Sequence, residues 1–309
     1  VEENKIFKDV ELGIGTWAWG DRLVWNYGQG YSDQDIVETF QISINNGIRF
    51  FDTAEVYGQG RSEQFLGRLL KNCHVPVVLA TKFMPYPWRL SPSALPKALK
   101  ASLARLDLPK VQLYQMHMPI GLLPIKSWIN QMAEVYDEGL IEAVGVSNYD
   151  LNQTLEAEKG LQARGIPLAS NQLEYHLLER RIEKNGLMQH CKEAGIKIIA
   201  YSPLAMGILS GKYGPENPPS GVRGVQYNKE FLTRIQPLIR AIKKIGLNHD
   251  GKTAAQVAIN WVICKGALPI PGAKNAGQIE QNVGSTGWEL TEEEVALLDE
   301  LSDSVTKKD

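Results

Sequence analysis

Four side chains suited to moving a proton onto oxygen fall in order along the chain: Asp52, Tyr57, Lys82 and His117. Each stands at the end of, or shortly after, a short apolar run, at 48–51, 76–80 and 111–115. A phenol is a poor acid until a nearby cation favours its ionised form, and Lys82 could supply that cation. Asp52 could hold Lys82 charged and oriented, while His117 could donate a hydrogen bond that fixes a carbonyl oxygen. Singly, these residues have ordinary uses, since an Asp at a strand end commonly caps a turn and a lone Tyr packs. Converging from three consecutive strand ends, they point to proton transfer at an oxygen.

A second cluster lies late in the chain. Ile270-Pro271-Gly272-Ala273-Lys274-Asn275 follows an apolar run and leads into 278–282, a short helix or turn. Free backbone N–H groups, a glycine turn at Gly272 and an exposed Lys274 would together meet a phosphate, although Gly after Pro also marks ordinary turns. Between the clusters, Tyr201 could stack on a planar ring, and Gly207 and Gly211 let a backbone approach a ligand closely. Ser147, Asn148 and Gln172 follow two further runs, where their polar groups could pair with a carboxamide. Trp17, Trp19, Trp25, Tyr27 and Tyr31, with Phe83 and Trp88, offer an aromatic wall for a ring-bearing or apolar ligand; the same rings could equally pack loops together.

Other chemistries find little support. His74, His176, His190 and His249 show no tight spacing with one another or with acids, so no metal site is expected. Glu292 to Glu294 look like a solvated helix start. Cys73, Cys191 and Cys264 are odd in number and far apart, as thiols in a reducing compartment would be. With 33 Lys plus Arg against 35 Asp plus Glu, the net charge of -2 argues against nucleic acid as a partner. The apolar runs are strand-sized, so no membrane span is expected.

What must position the chemistry is an alternation of strands and helices. Runs at 48–51, 76–80, 111–115, 141–146, 168–171, 196–201 and 267–270 read as strands, with a further one at 12–15 or close to Gly30. Amphipathic stretches at 34–45, 62–70, 93–106, 125–138, 151–163, 182–193, 231–245, 253–263 and 291–301 read as helices. Gly47, Gly139, Gly165 and Gly195 sit where helices would end. Near-continuous apolar strands between helices imply a parallel sheet covered by helices. A (β/α)8 barrel over 1–309 and an open doubly wound sheet both satisfy the pattern, but no GxGxxG opens a helix and no linker divides the chain. The Gly/Pro-rich segment 212–229 reads as a long loop, either covering a ligand or inserted at the surface.

From Leu12 to Trp288 the chain resembles the aldo-keto reductase superfamily. Phe50-Phe51-Asp52-Thr53-Ala54-Glu55-Val56-Tyr57-Gly58 is similar to the family's early signature, and Lys82 in Ala80-Thr81-Lys82 and His117 in Leu113-Tyr114-Gln115-Met116-His117 complete its catalytic set. The resemblance implies an α/β TIM barrel that binds NADPH or NADP+ in an extended pose without a Rossmann fold. Hydride would pass from the nicotinamide to an aldehyde or ketone carbon while Tyr57 protonates the alkoxide. Ser147, Asn148 and Gln172 would hold the nicotinamide, with Tyr201 stacked on it and Thr16 and Trp17 alongside. Ser202, Pro203, Leu204, Gly207, Leu209 and Lys212 would line the pyrophosphate. Gly272, Lys274, Gln278, Gln281 and Asn282 would receive the adenosine and its 2'-phosphate. Gln281 departs from the family's usual Glu, which implies altered affinity rather than lost binding.

Within the family, Tyr201-Ser202-Pro203-Leu204 and the segment after it resemble the branch of potassium-channel β subunits and bacterial stress reductases. Gly15-Thr16-Trp17-Ala18-Trp19-Gly20 is similar to plant and cyanobacterial members, including pyridoxal reductase-like proteins. Pyridoxal or a plant metabolite carbonyl is the substrate this implies, in a monomer or weak homo-oligomer of the cytoplasm or, with a transit peptide removed, the chloroplast stroma. An NADP(H)-binding regulatory or sensor subunit with slow activity is the other role the resemblance allows.

Overall fold

Each apolar run becomes one strand of a single parallel sheet, in chain order. In the computed structural model, which describes residues 4–306, the strands are β1 (Gly13–Gly15), β2 (Phe50–Asp52), β3 (Val78–Phe83), β4 (Val111–Met116), β5 (Ile141–Ser147), β6 (Leu168–Glu174), β7 (Lys197–Tyr201) and β8 (Leu268–Ile270). Every strand pairs in parallel with the next. Just beyond β8, Gly272 bridges to Gly15, and the Gly15 amide donates to the Pro271 carbonyl at 3.2 Å, so the first and last strands meet. The architecture is a (β/α)8 barrel of the TIM type, and the open doubly wound alternative is excluded. Residues 1–3 and 307–309 of the expected single domain lie outside the described residues.

The helices of the outer ring are α1 (Asp33–Asn45), α2 (Arg61–Leu70), α3 (Ala94–Leu106), α4 (Ile125–Asp137), α5 (Leu151–Gln162), α6 (Arg181–Lys184), α7 (Leu187–Ala194), α8 (Val222–Gln226), α9 (Lys229–Arg234), α10 (Gln236–Asn248), α11 (Ala254–Cys264), α12 (Ala276–Val283) and α13 (Glu292–Thr306). Local chemistry starts several of them: Asp150 and Thr253 form capping boxes with Gln153 and Gln256. Among the described residues, no helix is long and apolar enough to cross a membrane, and no group of three or more His, Cys, Asp or Glu could hold a metal.

Several boundaries correct the sequence reading. The segment near Gly30 is a turn, because Asn26 (φ 54°), Gly28 (φ 85°) and Gly30 (φ 150°) are incompatible with a strand. The single helix expected over 182–193 is two, α6 and α7, parted at Gly186. The one expected over 231–245 is also two, α9 and α10, because Pro237 has no N–H to continue the ladder. The 212–229 segment is not all loop: it carries α8 and ends in the start of α9. Both β3 and β6 run past their expected ends, so Lys82 and Gln172 lie within strands rather than after them.

The period of two along a strand sorts the interior. Phe50 faces into the barrel, Phe51 faces out against Trp19 and Phe40, and Asp52 faces in again. Ala80, Leu113, Ala143 and Ile199 join Phe50 in an apolar inner layer, packed with Phe7 of the turn Lys5–Phe7. Further along the strands the interior turns polar, with Asp52, Lys82, Gln115 and Gln172 all buried. Apolar filling at one end and paired polar groups at the other place the chemistry at the C-terminal mouth.

Candidate active site

Asp52 is the last residue of β2, and its carboxylate gathers donors from three other strands. Lys82 on β3 donates to Oδ2, and Gln115 on β4 and Gln172 on β6 donate to Oδ1 at 3.2 and 2.7 Å. Lys82 Nζ also donates to the Thr53 carbonyl at 2.8 Å and to the Tyr57 hydroxyl at 3.2 Å. Lys82 and Asp52 are 0% and 1% exposed. A charged pair this deep persists only when its remaining hydrogen-bonding capacity is met, and here each partner has several bonds. Tyr57 follows on a tight turn that approaches the β1–α1 loop closely. At Gly58 (φ 55°) a Cβ would come within 2.8 Å of the Gly20 carbonyl oxygen. The His117 amide donates to the Phe83 carbonyl at 2.8 Å, extending the sheet, and its ring meets Tyr57 edge-on at 5.7 Å.

The charges of this group follow from burial and neighbours. Burial pushes the Tyr57 phenol above its ordinary value, with Lys82 acting against the rise, so Tyr57 holds its proton. Burial alone would lower Lys82, but Asp52 and Tyr57 outweigh it and the ammonium is raised. His117 is pushed down to about 3, first by burial and then by Lys82, and is a neutral imidazole at physiological pH. Its Nδ1 is buried without a hydrogen-bond partner.

Around this centre the expected ligand-facing residues are placed as follows. Trp17, 39% exposed, stacks on Tyr57 at 5.9 Å and 23°. Thr16 is buried, its hydroxyl donating to the Asp52 carbonyl at 2.9 Å and meeting Ser62 Oγ at 2.7 Å; it supports the site from behind. Ser147 donates to the Gln172 carbonyl at 2.9 Å. Asn148 (φ 61°) donates to the His117 carbonyl at 3.2 Å and to Ser147 Oγ at 3.1 Å, and accepts from the Tyr201 hydroxyl at 2.9 Å. The two N–H groups of Gln172 serve Asp52 at 2.7 Å and Gln115 at 3.5 Å, so its oxygen is left to meet a carboxamide. Trp19 and Phe83 do not belong to the mouth wall. Trp19 is buried with its Nε1 donating to the Ala273 carbonyl at 2.9 Å, and Phe83 faces outward against Trp128.

Beyond β7 the backbone enters the left-handed region at Ser202, Ala205, Met206 and Gly207. Pro203 and Leu209 are buried, leaving Ser202, Leu204 and Gly207 partly accessible and Lys212 exposed. Lys274, read from the sequence as exposed, is instead half-buried: its Nζ donates to the Trp25 carbonyl at 3.3 Å and lies over the rings of Trp25 and Tyr31. Burial lowers its ammonium, and Arg223 and Lys212 lower it further, so three cations face one region. Exposed Gly272 lies beside them. Gln278 accepts from the Lys274 amide at 2.9 Å, Asn282 donates to the Gly272 carbonyl at 3.3 Å, and Gln281 accepts from Thr253 at 2.8 Å. Mutually repelling cations beside a strained backbone turn suit a polyanion.

Sequence reasoning missed four contributors. Gln115 was hidden as the last residue of an apolar run, although its place two residues before His117 puts it on the same strand face. Glu55 and Arg89 form a bidentate pair at 2.6 and 3.0 Å, and Glu55 also accepts from the Met84 amide at 2.8 Å, pinning the β3–α3 loop to the Tyr57 turn. Arg223 had a signal, being the one arginine in the Gly/Pro-rich segment.

This geometry accords with the comparisons to known proteins. A chloroplastic pyridoxal reductase of Arabidopsis thaliana is 40% identical over 301 residues, spanning 93% of this chain and 82% of that protein. The glycerol dehydrogenase of Gluconobacter oxydans superposes with a TM-score of 0.84 at 26% identity, covering 96% of this chain and 93% of that one. An aldo/keto reductase of Klebsiella pneumoniae, solved with NADP and acetate, superposes with a TM-score of 0.75 at 28% identity, covering 97% and 93%. Residues 11–303 match the model of the aldo/keto reductase family, and the chain belongs to that family of oxidoreductases.

Proposed function

We propose that this protein reduces an aldehyde or ketone to an alcohol with NADPH, that Tyr57 is the proton donor, and that pyridoxal or another ring-bearing plant metabolite is the carbonyl substrate. The observation that carries the reading is the Lys82 ammonium, bonded to Asp52 and 3.2 Å from a Tyr57 hydroxyl that holds its proton. The residues present fit the dinucleotide: Lys212, Arg223 and Lys274 face one region, where the repulsion of Lys274 by the other two cations outweighs the attraction of Asp21, and the partly exposed Trp17 flanks Tyr57. NADPH bound there supplies a hydride to the carbonyl carbon.

The chain's own part is proton delivery and positioning. As negative charge grows on the substrate oxygen, Tyr57 releases its proton to it, and the adjacent ammonium stabilises the phenolate left behind. Asp52 keeps Lys82 charged, and Gln115 and Gln172 keep Asp52 in place. Neutral His117 orients the carbonyl by donating one hydrogen bond without competing as an acid. The apolar layer beneath keeps water from the far side. Pyridoxal is favoured by the Arabidopsis relative and by Trp17, a flat surface beside the proton donor. The same relative supports a plastid or cytoplasmic location.

The test is NADPH oxidation, followed at the nicotinamide absorbance, against pyridoxal and a panel of aromatic, aliphatic and terpenoid-like carbonyls. Turnover of pyridoxal or a ring-bearing carbonyl is expected. Tight NADPH binding without turnover across the panel would favour the sensor role instead, and failure to bind NADPH would overturn both.

A further inference from the structure

Lys274 is held in a way that its proposed task, meeting a phosphate, does not require of a lysine. Its Nζ lies 4.6 Å from the ring centroid of Trp25 and 4.9 Å from that of Tyr31, and it donates to the Trp25 carbonyl at 3.3 Å. Two aromatic faces and one carbonyl make a cage for an ammonium that Arg223 and Lys212 repel.

The cage is fixed from behind. Asp21 accepts from the Val24 and Trp25 amides at 2.7 and 3.3 Å with one oxygen and from Trp17 Nε1 at 3.2 Å with the other. Trp17 meets the Trp25 ring edge-on at 5.6 Å and 88°. The Tyr31 hydroxyl donates to the Ala18 carbonyl at 2.5 Å, and Trp19 Nε1 donates to the carbonyl of Ala273, the residue before Lys274. The β1–α1 loop and the turn after β8 are therefore fastened at two adjacent points. The Trp25 indole N–H is buried with no hydrogen-bond partner, so this ring is placed by its faces and not by its polar atom.

We propose that Trp25 is a positioning residue for Lys274, holding its ammonium ready for phosphate, and through it a determinant of preference for the dinucleotide carrying a 2'-phosphate. The inference rests on the NADPH reading above. A lysine is a point charge on a flexible stem, and a cation ordered before its ligand arrives loses less freedom when the ligand binds. A dinucleotide without the 2'-phosphate gains nothing from that ordering. Trp25 thus acts on discrimination and not on the reacting atoms.

The test is calorimetric titration of NADPH and NADH into the full chain and its variants. Trp25→Leu removes the ring and keeps the backbone carbonyl; it should weaken NADPH about three- to tenfold, in line with a partly desolvated cation–π contact, and change NADH less than about twofold. In a Lys274→Met background the same substitution should have no further effect on NADPH. Trp25→Phe keeps a ring face and removes the unpaired N–H, and should stay within about twofold of the natural protein. If Trp25→Leu does not fold, Trp25→Met serves in its place. Equal weakening of both dinucleotides, a loss that persists with Met at 274, or tighter NADPH binding, which would mean that the cage competes with phosphate, would each overturn the inference. Tight NADPH binding by the natural protein with no effect of Trp25→Leu overturns this inference alone; natural protein that binds neither dinucleotide overturns the functional reading with it.

Discussion

The Lys82 ammonium stands 3.2 Å from the Tyr57 hydroxyl, and the Asp52 carboxylate bonds it from β2. This juxtaposition gives two neighbouring groups opposite tasks. Burial keeps the proton on the phenol, while the cation waits to stabilise the phenolate once that proton has gone. A donor must be protonated before the reaction and leave a tolerable base after it; burial meets the first condition and the buried ammonium the second.

Gln172 should matter through Asp52. Its 2.7 Å bond to Oδ1 is the shorter of the two glutamine contacts to that oxygen. A hydrogen bond to a charged group contributes about 1.5–3 kcal/mol, so Gln172→Leu should lower stability by roughly that amount and slow turnover about tenfold or more. Thermal unfolding and NADPH oxidation measure the two effects. Unchanged values in both would mean that Asp52 does not depend on β6.

His117 carries a pH signature in the stability of the protein. Folded, it takes up a proton only at about 3, because of burial and then Lys82, whereas an unfolded histidine does so near 6.5. Between these values the unfolded chain binds more protons, so stability falls as pH drops from about 6.5 toward 3. His117→Asn should lose less stability than the natural protein between pH 7 and pH 5, as read from urea midpoints. Parallel losses would show that His117 is not held neutral.

Glu55 and Arg89 join the Tyr57 turn to the β3–α3 loop, and the Tyr86–Trp88 stack lies on that loop. Their pair is shielded, with side chains 10% and 21% exposed. Glu55→Ala should raise KM for the carbonyl several-fold, leave NADPH affinity unchanged and speed hydrogen exchange at the Met84 amide. An equal loss of NADPH affinity would place the pair's influence on the cofactor side.

That Asp52, Tyr57, Lys82 and His117 would meet was legible because residue type combines with position. Asp52, Lys82 and His117 come from successive strands, and strand ends are readable from apolar runs. The barrel was only half legible, since an open sheet has the same alternation and closure depends on Gly15 meeting Gly272 across almost the whole chain. Lys82 and Gln172 were read as lying past their strands because a polar residue ordinarily ends an apolar run; inside this barrel they find partners, and the strands continue. Lys274 was misplaced, and Trp19 and Phe83 were left open between a mouth wall and packing, for a related reason. Side-chain direction and depth depend on packing partners distant in sequence: Ala273 for Trp19, Trp128 for Phe83 and Trp25 for Lys274.

The most direct test of the account is Tyr57→Phe, with NADPH binding and NADPH oxidation measured on the same sample. The ring and its contact with Trp17 survive this change, and only the transferable proton is lost. The account predicts a fall in turnover of about a hundredfold or more, the usual scale of general-acid catalysis, with NADPH affinity within about twofold of the natural protein. Turnover within about tenfold of the natural protein would contradict it, because the proton would then be coming from another group.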